Sequence, residues 1–211
     1  MATKSMAFWG LLLAAVAVHT VVASDPDLTV DFNVSNPVAS DFMGSTTAPP
    51  PPPQGQGMAN PFPVTITGLS GLGLIPVLFE FGPMSQIDPH THPRATEVFY
   101  VLSGSIDVGF VDTNNDLFEI TVNTGDIFVF PKGLLHWQRN NGAGKASGYS
   151  VLNSENPGTL LIVKGLFTAS GKGLPDIVLA TALGIGFNNV DKQIDNIKQA
   201  VAKKDNVTLV S

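Results

Sequence analysis

The sequence contains no cysteine, which excludes disulfides, thiolate metal ligands and cysteine nucleophiles. Charged residues are scarce, at 13% of the chain, and the 11 basic residues are outnumbered by 17 acidic ones. No basic segment suits a phosphate backbone, so we expect no nucleic-acid partner. Apolar residues are abundant instead, at 44% of 211, which is enough to bury the core of a single domain.

Long apolar runs are also missing, with one exception near the N-terminus. Residues Ala7 to Val18 form an apolar run after Lys4, and small residues precede Ser24. The run is too short to span a bilayer comfortably, and the pattern is typical of a secretory signal peptide. We therefore predict cleavage after residue 23, rather than a membrane anchor, and a secreted product with no membrane span.

Histidine is rare, and its placement is informative. His19 lies in the signal segment, whereas His90, His92 and His136 fall in two short motifs, the first of which also contains Glu97. On an extended strand, residues two apart project from the same face, about 6–7 Å apart at Cβ. A lone His-x-His pair is often no more than two strand histidines. Three imidazoles and one carboxylate, however, form a donor set that suits redox-capable manganese or iron better than structural zinc.

The two motifs are PHTHPRATE at residues 89–97 and the segment from Gly125 to Asn140, which reads GDIFVFPKGLLHWQRN. They resemble the two motifs of the cupin superfamily, and within it those of the plant germins and germin-like proteins. The similarity runs from about Asp25 to the C-terminus and is poor between Asp31 and Pro61. The resemblance implies an all-β fold, a cupin jelly-roll β-barrel with C-terminal α-helices.

The resemblance also implies the site. His90, His92, Glu97 and His136 are expected to bind Mn²⁺, at one ion per chain. The spacing between His92 and Glu97 is odd, so Pro93 and Arg94 must bend the chain to return the carboxylate to the metal. The retained Gln138 and Asn140 are candidates to lie around these ligands; an ordinary strand glutamine is the alternative for Gln138.

The chain departs from the family pattern in three respects. Most germin-like proteins carry an N-terminal cysteine pair, so here the N-terminal arm must be held by packing alone. Two asparagines thought to help hold oxalate in germins align with Ile87 and Ser70, and a family glycine aligns with Met84. An isoleucine cannot donate a hydrogen bond to a carboxylate, which disfavours oxalate oxidase activity.

Composition and the spacing of apolar residues divide the remainder of the chain into an N-terminal arm and one domain. We predict an N-terminal arm at residues 24–61, with a polyproline linker at Pro49 to Pro53, and a cupin domain at residues 62–211. The barrel is expected at about 62–170 and the C-terminal helices at about 175–203. Short apolar runs separated by Gly and Asn predict the strands: 74–81, 98–102, 106–111, 118–122, 127–130, 149–152 and 159–167. Helices are predicted at 175–183 and 188–203, the second capped by Asn188 or Asn189.

Two functions remain open on this evidence. The first is a manganese oxidoreductase of the plant apoplast that converts superoxide to hydrogen peroxide and dioxygen. The second is a non-enzymatic cell-wall or defence protein that keeps the metal for structure or binds a small carboxylate in the barrel. Asn33 and Asn206 lie in glycosylation sequons, and the family's trimer-of-dimers hexamer makes a homo-oligomer the expected state.

Overall fold

The computed structural model describes residues 29–47, 57–185 and 190–205. The predicted signal peptide, the Pro49 to Pro53 stretch, the Asn188 or Asn189 cap and the sequon at Asn206 lie outside these ranges. The strands are β1 Asn60–Pro63, β2 Ile75–Phe81, β3 Gln86–Thr91, β4 Glu97–Ser103, β5 Ser105–Val111, β6 Leu117–Asn123, β7 Ile127–Phe130, β8 Leu135–Arg139, β9 Ala146–Leu152 and β10 Leu160–Leu161. The helices are α1 Ile162–Thr168, α2 Asp176–Ala182 and α3 Val190–Asp205, with short 3₁₀ helices at Ala39–Phe42, Thr67–Leu69 and Ala169–Gly171.

The strands form two five-stranded sheets, ordered β1-β2-β9-β4-β7 and β10-β3-β8-β5-β6. Every neighbouring pair within a sheet is antiparallel. Sequence neighbours such as β2 and β3 lie in opposite sheets, so the chain crosses repeatedly between the two layers. This arrangement confirms the predicted all-β fold with C-terminal helices.

Alternation along each strand directs apolar side chains into the space between the sheets. On β4, Phe99 and Val101 are fully buried, whereas Val98 and Tyr100 face outward. Four phenylalanines from β2, β4 and β7 contribute much of this core: Phe79, Phe81, Phe99 and Phe130. Burial of one such side chain contributes about 1.5–3 kcal/mol to folding, so the core between the sheets stabilises the walls on which the histidines are carried.

The prediction of a strand over residues 159–167 is wrong. The structure has the two-residue strand β10 followed by helix α1, which begins at Ile162. Leu166 and Phe167 of this helix pack against Leu179 and Ile194 of the following helices. An apolar run of this length is compatible with a buried strand or a helix, and the contacts with α2 and α3 favour the helix.

The C-terminal helices α2 and α3 confirm the predicted helical segments. The apolar stripe of α3 packs within the chain: Ile194 is buried, and Ile197 and Val201 lie against the same cluster. Lys204 near the end of α3 forms an ion pair with Asp88 of β3. The helical layer is therefore tied to the strand that bears His90.

Residues 29–47 of the N-terminal arm are held by ring packing. The rings of Phe32 and Phe42 meet edge to face with centroids 5.4 Å apart. A Cβ at Gly68 would lie 2.2 Å from Phe42 Cδ1, so the absence of a side chain at Gly68 lets this ring approach. These contacts agree with the expectation that packing takes the place of a disulfide. No helix among the described residues combines the length and apolar character needed to cross a membrane.

Candidate metal centre

Three pieces of the chain bring the predicted ligands together. His90 lies on β3, and His136 is its register partner on β8. His92 follows the last residue of β3, and β4 begins at Glu97. The predicted bend at Pro93 and Arg94 is therefore present, and it turns the carboxylate to the same side as the imidazoles.

The four side chains form one buried cluster. Each offers one donor atom, and these atoms all lie within 4.8 Å of one another. The Nε2 atoms of His92 and His136 lie 3.1 and 3.5 Å from Oε2 of Glu97. The structure thus brings together every ligand that the sequence predicted, at spacings over which one ion could be shared.

Backbone carbonyls set the tautomer of all three histidines. The Nδ1–H groups of His90, His92 and His136 donate to the carbonyls of Asp88, Gly158 and Leu134, at 2.8, 2.6 and 2.9 Å. A carbonyl accepts and cannot donate, so each Nδ1 carries the hydrogen and each neutral ring directs the lone pair of Nε2 inward. This is the arrangement found around metal-binding histidines.

Glu97 is oriented through one of its two oxygens. Oε1 accepts hydrogen bonds from Nε2 of Gln138 at 3.1 Å and from Oγ of Ser150 at 2.6 Å. Oε2 points into the cluster and, like Nε2 of His136, is buried without a hydrogen-bond partner. When the imidazoles are neutral, the lone pairs of their Nε2 atoms face the lone pairs of Glu97 Oε2. Such an arrangement is stabilised by a cation, and the nitrogen and oxygen donors fit a divalent metal.

Burial and the neighbouring groups shift the pKa values of three of the four residues. Burial lowers the pKa of His90 to about 4, and the neighbouring His136 and His92 add to this effect. Burial also acts to lower the pKa of His92, but the adjacent carboxylate of Glu97 and the hydrogen bond to the Gly158 carbonyl outweigh burial and raise it. Burial would raise the pKa of Glu97, yet the adjacent imidazoles of His136 and His92 lower it. The carboxylate is thus ionised, and a proton on His92 occupies a place that a metal ion would take.

Comparison with known proteins agrees with this geometry. A family model described as cupin matches residues 53–191. Germin-like protein subfamily 2 member 4 of Arabidopsis thaliana is 38% identical over 218 residues, which cover 93% of this chain and 97% of that protein. The chain belongs to the germin-like proteins of the cupin family. A rhicadhesin receptor of Pisum sativum is 44% identical over 139 residues, 66% of this chain and 62% of that protein.

Solved structures share the fold of this germin-like protein. An oxalate oxidase in complex with the substrate analogue glycolate superposes with a TM-score of 0.70 at 26% identity. The match covers 84% of this chain and 90% of that one. The likeness therefore extends over the barrel and most of the chain.

The two polar residues expected around the ligands have different contacts. Gln138 is fully buried and donates to Glu97, so it is more than an ordinary strand glutamine. Asn140 donates to the carbonyls of Gly82 and Gly144 and accepts from the backbone N–H of Gly142. These hydrogen bonds of Asn140 hold two loops at the end of β8.

Ser150 and the Gly158 carbonyl are functional contacts that the sequence analysis missed. Ser150 occupies an inward position of β9, two residues from the buried Leu152. A hydroxyl on the buried face of a strand indicates a polar partner inside the barrel. The alternation of inward and outward residues along β9 could therefore have identified Ser150 as a contact of the site. The contact with Gly158 involves a backbone carbonyl, which leaves no trace in residue identity.

His90 and His92 line a cavity of about 330 Å³. Ile87 forms part of its wall, whereas Ser70 is exposed at the end of the second 3₁₀ helix and lines a separate depression. The wall beside the histidines is therefore apolar at the position where germins have an asparagine. Depressions of about 400 and about 410 Å³ lie elsewhere on the surface, away from the four-residue cluster.

Proposed function

We propose that this germin-like protein binds one manganese ion through His90, His92, Glu97 and His136 and dismutes superoxide. The observation that carries the proposal is the convergence of unpartnered, buried donor atoms around Glu97 Oε2. Four protein ligands leave two positions of an octahedral ion for water and a small substrate.

The donor set supports a redox metal more than structural zinc. Structural zinc sites are closed, tetrahedral and often built with thiolates, and this chain has no cysteine. Affinity alone would favour copper, nickel or zinc over manganese at a nitrogen and oxygen site. We infer that metal supply during folding decides the occupant, so protein from a heterologous host requires its metal to be measured.

Bound manganese would supply the one-electron couple by which two superoxide ions and two protons give dioxygen and hydrogen peroxide. The chain's own residues hold the site ready for this chemistry. The three carbonyl contacts place the hydrogen of each neutral imidazole on Nδ1, and Gln138 with Ser150 keeps Oε2 of Glu97 turned inward. The apolar cavity above His90 and His92 admits a small molecule.

Oxalate oxidation is supported less well. The structural neighbours include an oxalate oxidase, but the cavity wall carries Ile87 where a hydrogen-bonding amide would be needed. A carboxylate beside an isoleucine loses hydrogen bonds to water without replacement. We therefore expect little turnover of oxalate.

A non-enzymatic role is the second candidate. The name of the similar pea protein, rhicadhesin receptor, describes binding of a partner. In this case the metal would stabilise the barrel, and removing it would lower the melting temperature without any associated turnover. A metal-loaded protein that does not react with superoxide would favour this role.

We also propose that the protein acts outside the cell, in the apoplast or cell wall, after removal of residues 1–23. Residues 24–61 would form the arm with its polyproline linker, and 62–211 the cupin domain. Asn33 is exposed, as a glycosylated residue must be; Asn206 is the second proposed glycan site. A homo-oligomer, a hexamer built as a trimer of dimers, is the proposed state. Mass spectrometry and light scattering of the secreted protein test these points.

The activity is tested by following the decay of superoxide after pulse radiolysis, in the presence of protein whose manganese content has been measured. We expect second-order turnover that scales with bound manganese. Zinc-loaded protein that is folded to the same extent as the manganese-loaded protein should be inactive, because zinc has no redox couple. Decay that is independent of manganese content would overturn the proposal.

A further inference from the structure

We propose that the protein binds neutral oligosaccharides on the outer face of the sheet β10-β3-β8-β5-β6, with Trp137 as the platform on which a sugar ring stacks. The site is separate from the proposed metal centre and faces the opposite way. Along β8, His136 and Gln138 are buried in the barrel, whereas Trp137 and Arg139 alternate with them and point outward. One strand thus carries a proposed metal ligand on one side and the proposed sugar platform on the other.

Two depressions of the outer surface meet at Trp137. Their volumes are about 400 Å³ and about 310 Å³, and both are lined by Trp137 and Asp107. Ligand pockets have volumes of about 300–1,000 Å³, so each depression has the size to hold part of a sugar chain that crosses Trp137. The residues that define this surface, called the Trp137 face below, are Gln86, Asp107, Glu119, Trp137, Arg139 and Asn141.

Strand register arranges polar side chains in a row on the Trp137 face. Arg139 of β8 pairs with Gln86 of β3 on one side and with Asp107 of β5 on the other, and Asp107 pairs in turn with Thr121 of β6. The Thr121 hydroxyl donates to Oδ1 of Asp107 at 2.6 Å. Amide, carboxylate and guanidinium groups are planar and can each form two parallel hydrogen bonds. Such groups match the neighbouring hydroxyls of a pyranose ring.

The indole of Trp137 lies across Gly109, its register partner on β5. A Cβ at Gly109 would lie 3.0 Å from Cζ2 and 3.1 Å from Cε2 of the indole, so the absence of a side chain lets the ring approach the sheet. Trp137 is only partly buried, and its remaining surface lines both depressions. Stacking on this ring would remove the C–H-bearing face of a sugar from water, and the sugar hydroxyls would keep polar partners around it.

Arg139 offers a hydrogen-bond donor that the protein leaves without an acceptor. Its Nε atom is buried and has no hydrogen-bond partner, and the side chain lines the larger depression together with Trp137. Buried N–H groups in folded proteins are almost always paired. A sugar hydroxyl or ring oxygen that enters the depression can accept from this group, which is an observation independent of the aromatic platform.

The charges of the Trp137 face favour a neutral ligand. Among the described residues that line the two depressions, Arg139 is the only cation, whereas Asp107 and Glu119 are acidic. The acidic excess disfavours phosphates and acidic sugars. A purely apolar ligand would instead leave the carboxylates and the guanidinium without partners. An uncharged ligand that is rich in hydroxyls and has apolar ring faces meets both conditions.

The test is tryptophan fluorescence of the secreted protein. Trp9 lies in the predicted signal peptide, so Trp137 is the only tryptophan of residues 24–211, and mass spectrometry verifies the loss of Trp9. We expect cellohexaose and xylohexaose to change the emission of Trp137 and to protect it from quenching by acrylamide, because stacking covers the indole. Hexagalacturonate, an acidic chain of equal length, should bind at least about tenfold more weakly because it meets like charges.

Three outcomes of this titration would overturn the inference. The first is an emission that neither neutral chain changes, and the second is hexagalacturonate that binds as tightly as the neutral chains. The third is a response to a polyproline peptide and to neither sugar, which would assign the Trp137 face to protein recognition.

Variants place the ligand, and isothermal titration calorimetry with the tighter-binding neutral chain measures them. Trp137→Ala should reduce affinity by at least about tenfold, as truncation of a central aromatic anchor does, and Trp137→Phe should recover part of the loss. The matched control is Tyr100→Ala, which removes an outward aromatic residue that is 38% exposed on the opposite sheet and should bind as the wild type does.

A second variant covers the case in which Trp137→Ala does not fold. Glu119 is exposed on the edge strand β6, so Glu119→Ala should fold normally and lose about fivefold in affinity, the effect of one hydrogen bond. Wild-type affinity in folded Trp137→Ala, or in Glu119→Ala where Trp137→Ala does not fold, would contradict the assignment.

Discussion

The imidazole of His92 and the backbone of Gly158 are joined by a hydrogen bond of 2.6 Å, in which Nδ1–H donates to the carbonyl. The same segment is held by Arg94, whose Nε–H donates to the carbonyl of Asn156 at 2.6 Å and whose backbone N–H donates to Pro157 at 3.1 Å. The loop that carries a proposed metal ligand and the segment at 156–158 thus position each other. Glycine is favoured at 158 by its left-handed backbone, with φ +68°, and a Cβ there would lie 2.8 Å from Nη2 of Arg94, whose exposed guanidinium would have to shift.

Gly158→Ala should therefore weaken metal binding by about 10–100-fold, the effect typical of removing a group that orients a metal ligand. The added methyl group would displace the guanidinium of Arg94 and disturb its hydrogen bonds to Asn156, which hold the segment whose Gly158 carbonyl accepts from His92. A competition titration of the purified variant with a metal-binding dye measures the change.

Gly184→Ala is the control for backbone strain. Gly184 has φ +67°, against +68° for Gly158, and a Cβ there would meet nothing within 4 Å. Both variants should lose about 1 kcal/mol of folding stability from the left-handed backbone alone, but Gly184→Ala should keep wild-type metal affinity. Equal metal affinity in the two variants would show that Gly158 does not position His92.

Ser150→Ala tests the orientation of Glu97. The hydroxyl of Ser150 donates to Oε1 at 2.6 Å inside the barrel, so its removal leaves a buried carboxylate with one fewer donor. We expect a loss of about 1–3 kcal/mol in the free energy of unfolding and about tenfold weaker metal binding. Ser147→Ala, at an outward position of the same strand, removes a hydrogen bond to Ser103 and should change stability by no more than about 0.5 kcal/mol. Urea unfolding distinguishes the two, and similar losses in both would contradict this role of Ser150.

Met84→Gly should stabilise the protein. Met84 occupies the position of a family glycine and keeps a left-handed backbone, with φ +58°, and its side chain is 40% exposed. The left-handed conformation costs a residue with a Cβ about 1–2 kcal/mol, and the greater unfolded-state entropy of glycine offsets about 0.5–1 kcal/mol of this. We expect a net gain of about 0.5–1 kcal/mol by urea unfolding. A loss of stability would show that contacts of the Met84 side chain outweigh the strain.

Stability of the metal-free protein should fall on acidification from pH 6.5 to about 4. Burial lowers the pKa of His90 to about 4 in the folded state, whereas the unfolded chain has the ordinary value near 6.5. Between these values the unfolded state binds the extra proton, so the free energy of unfolding decreases as pH falls, by at most about 1.4 kcal/mol per pH unit for this site. His92 acts in the opposite sense: its raised pKa gives a contribution that is complete below pH 6.5 and lost as pH rises through the raised value.

His90→Asn isolates the contribution of His90. The variant should show a shallower dependence of unfolding free energy on pH between 6.5 and 4 than the wild type, because the proton difference is removed. Urea titrations at half-unit steps of pH measure both slopes. An unchanged slope would assign the acid sensitivity to other groups.

The ligand set could be predicted from the sequence because it is encoded by residue type at short spacing. His90, His92 and Glu97 lie within one motif, and Gly125 with φ +94° and Gly133 with φ +77° adopt the turns that return the chain to His136. Strands with clear alternation, such as β4, were predicted within one or two residues. These features depend on local sequence, so they are readable without tertiary contacts.

Other features depend on contacts between distant segments. The apolar pattern of residues 159–167 does not discriminate between a strand and a helix. The packing of Phe167 against the C-terminal helices favours the helix α1. Asn140 belongs to the motif, yet its hydrogen bonds hold Gly82 and Gly144. The Gly158 carbonyl and the apolar cavity arise from the meeting of several strands, and no single motif encodes them.

Elemental mass spectrometry of the secreted protein, purified from a plant host without added metal, tests the central claim most directly. We predict about one manganese per chain in the wild type and in Glu119→Gln, which changes an exposed carboxylate on β6. Glu97→Gln and His136→Gln should lose most of the metal while their circular dichroism remains that of a folded β-protein. Zinc or no metal in the wild type, or full manganese in both site variants, would contradict the account.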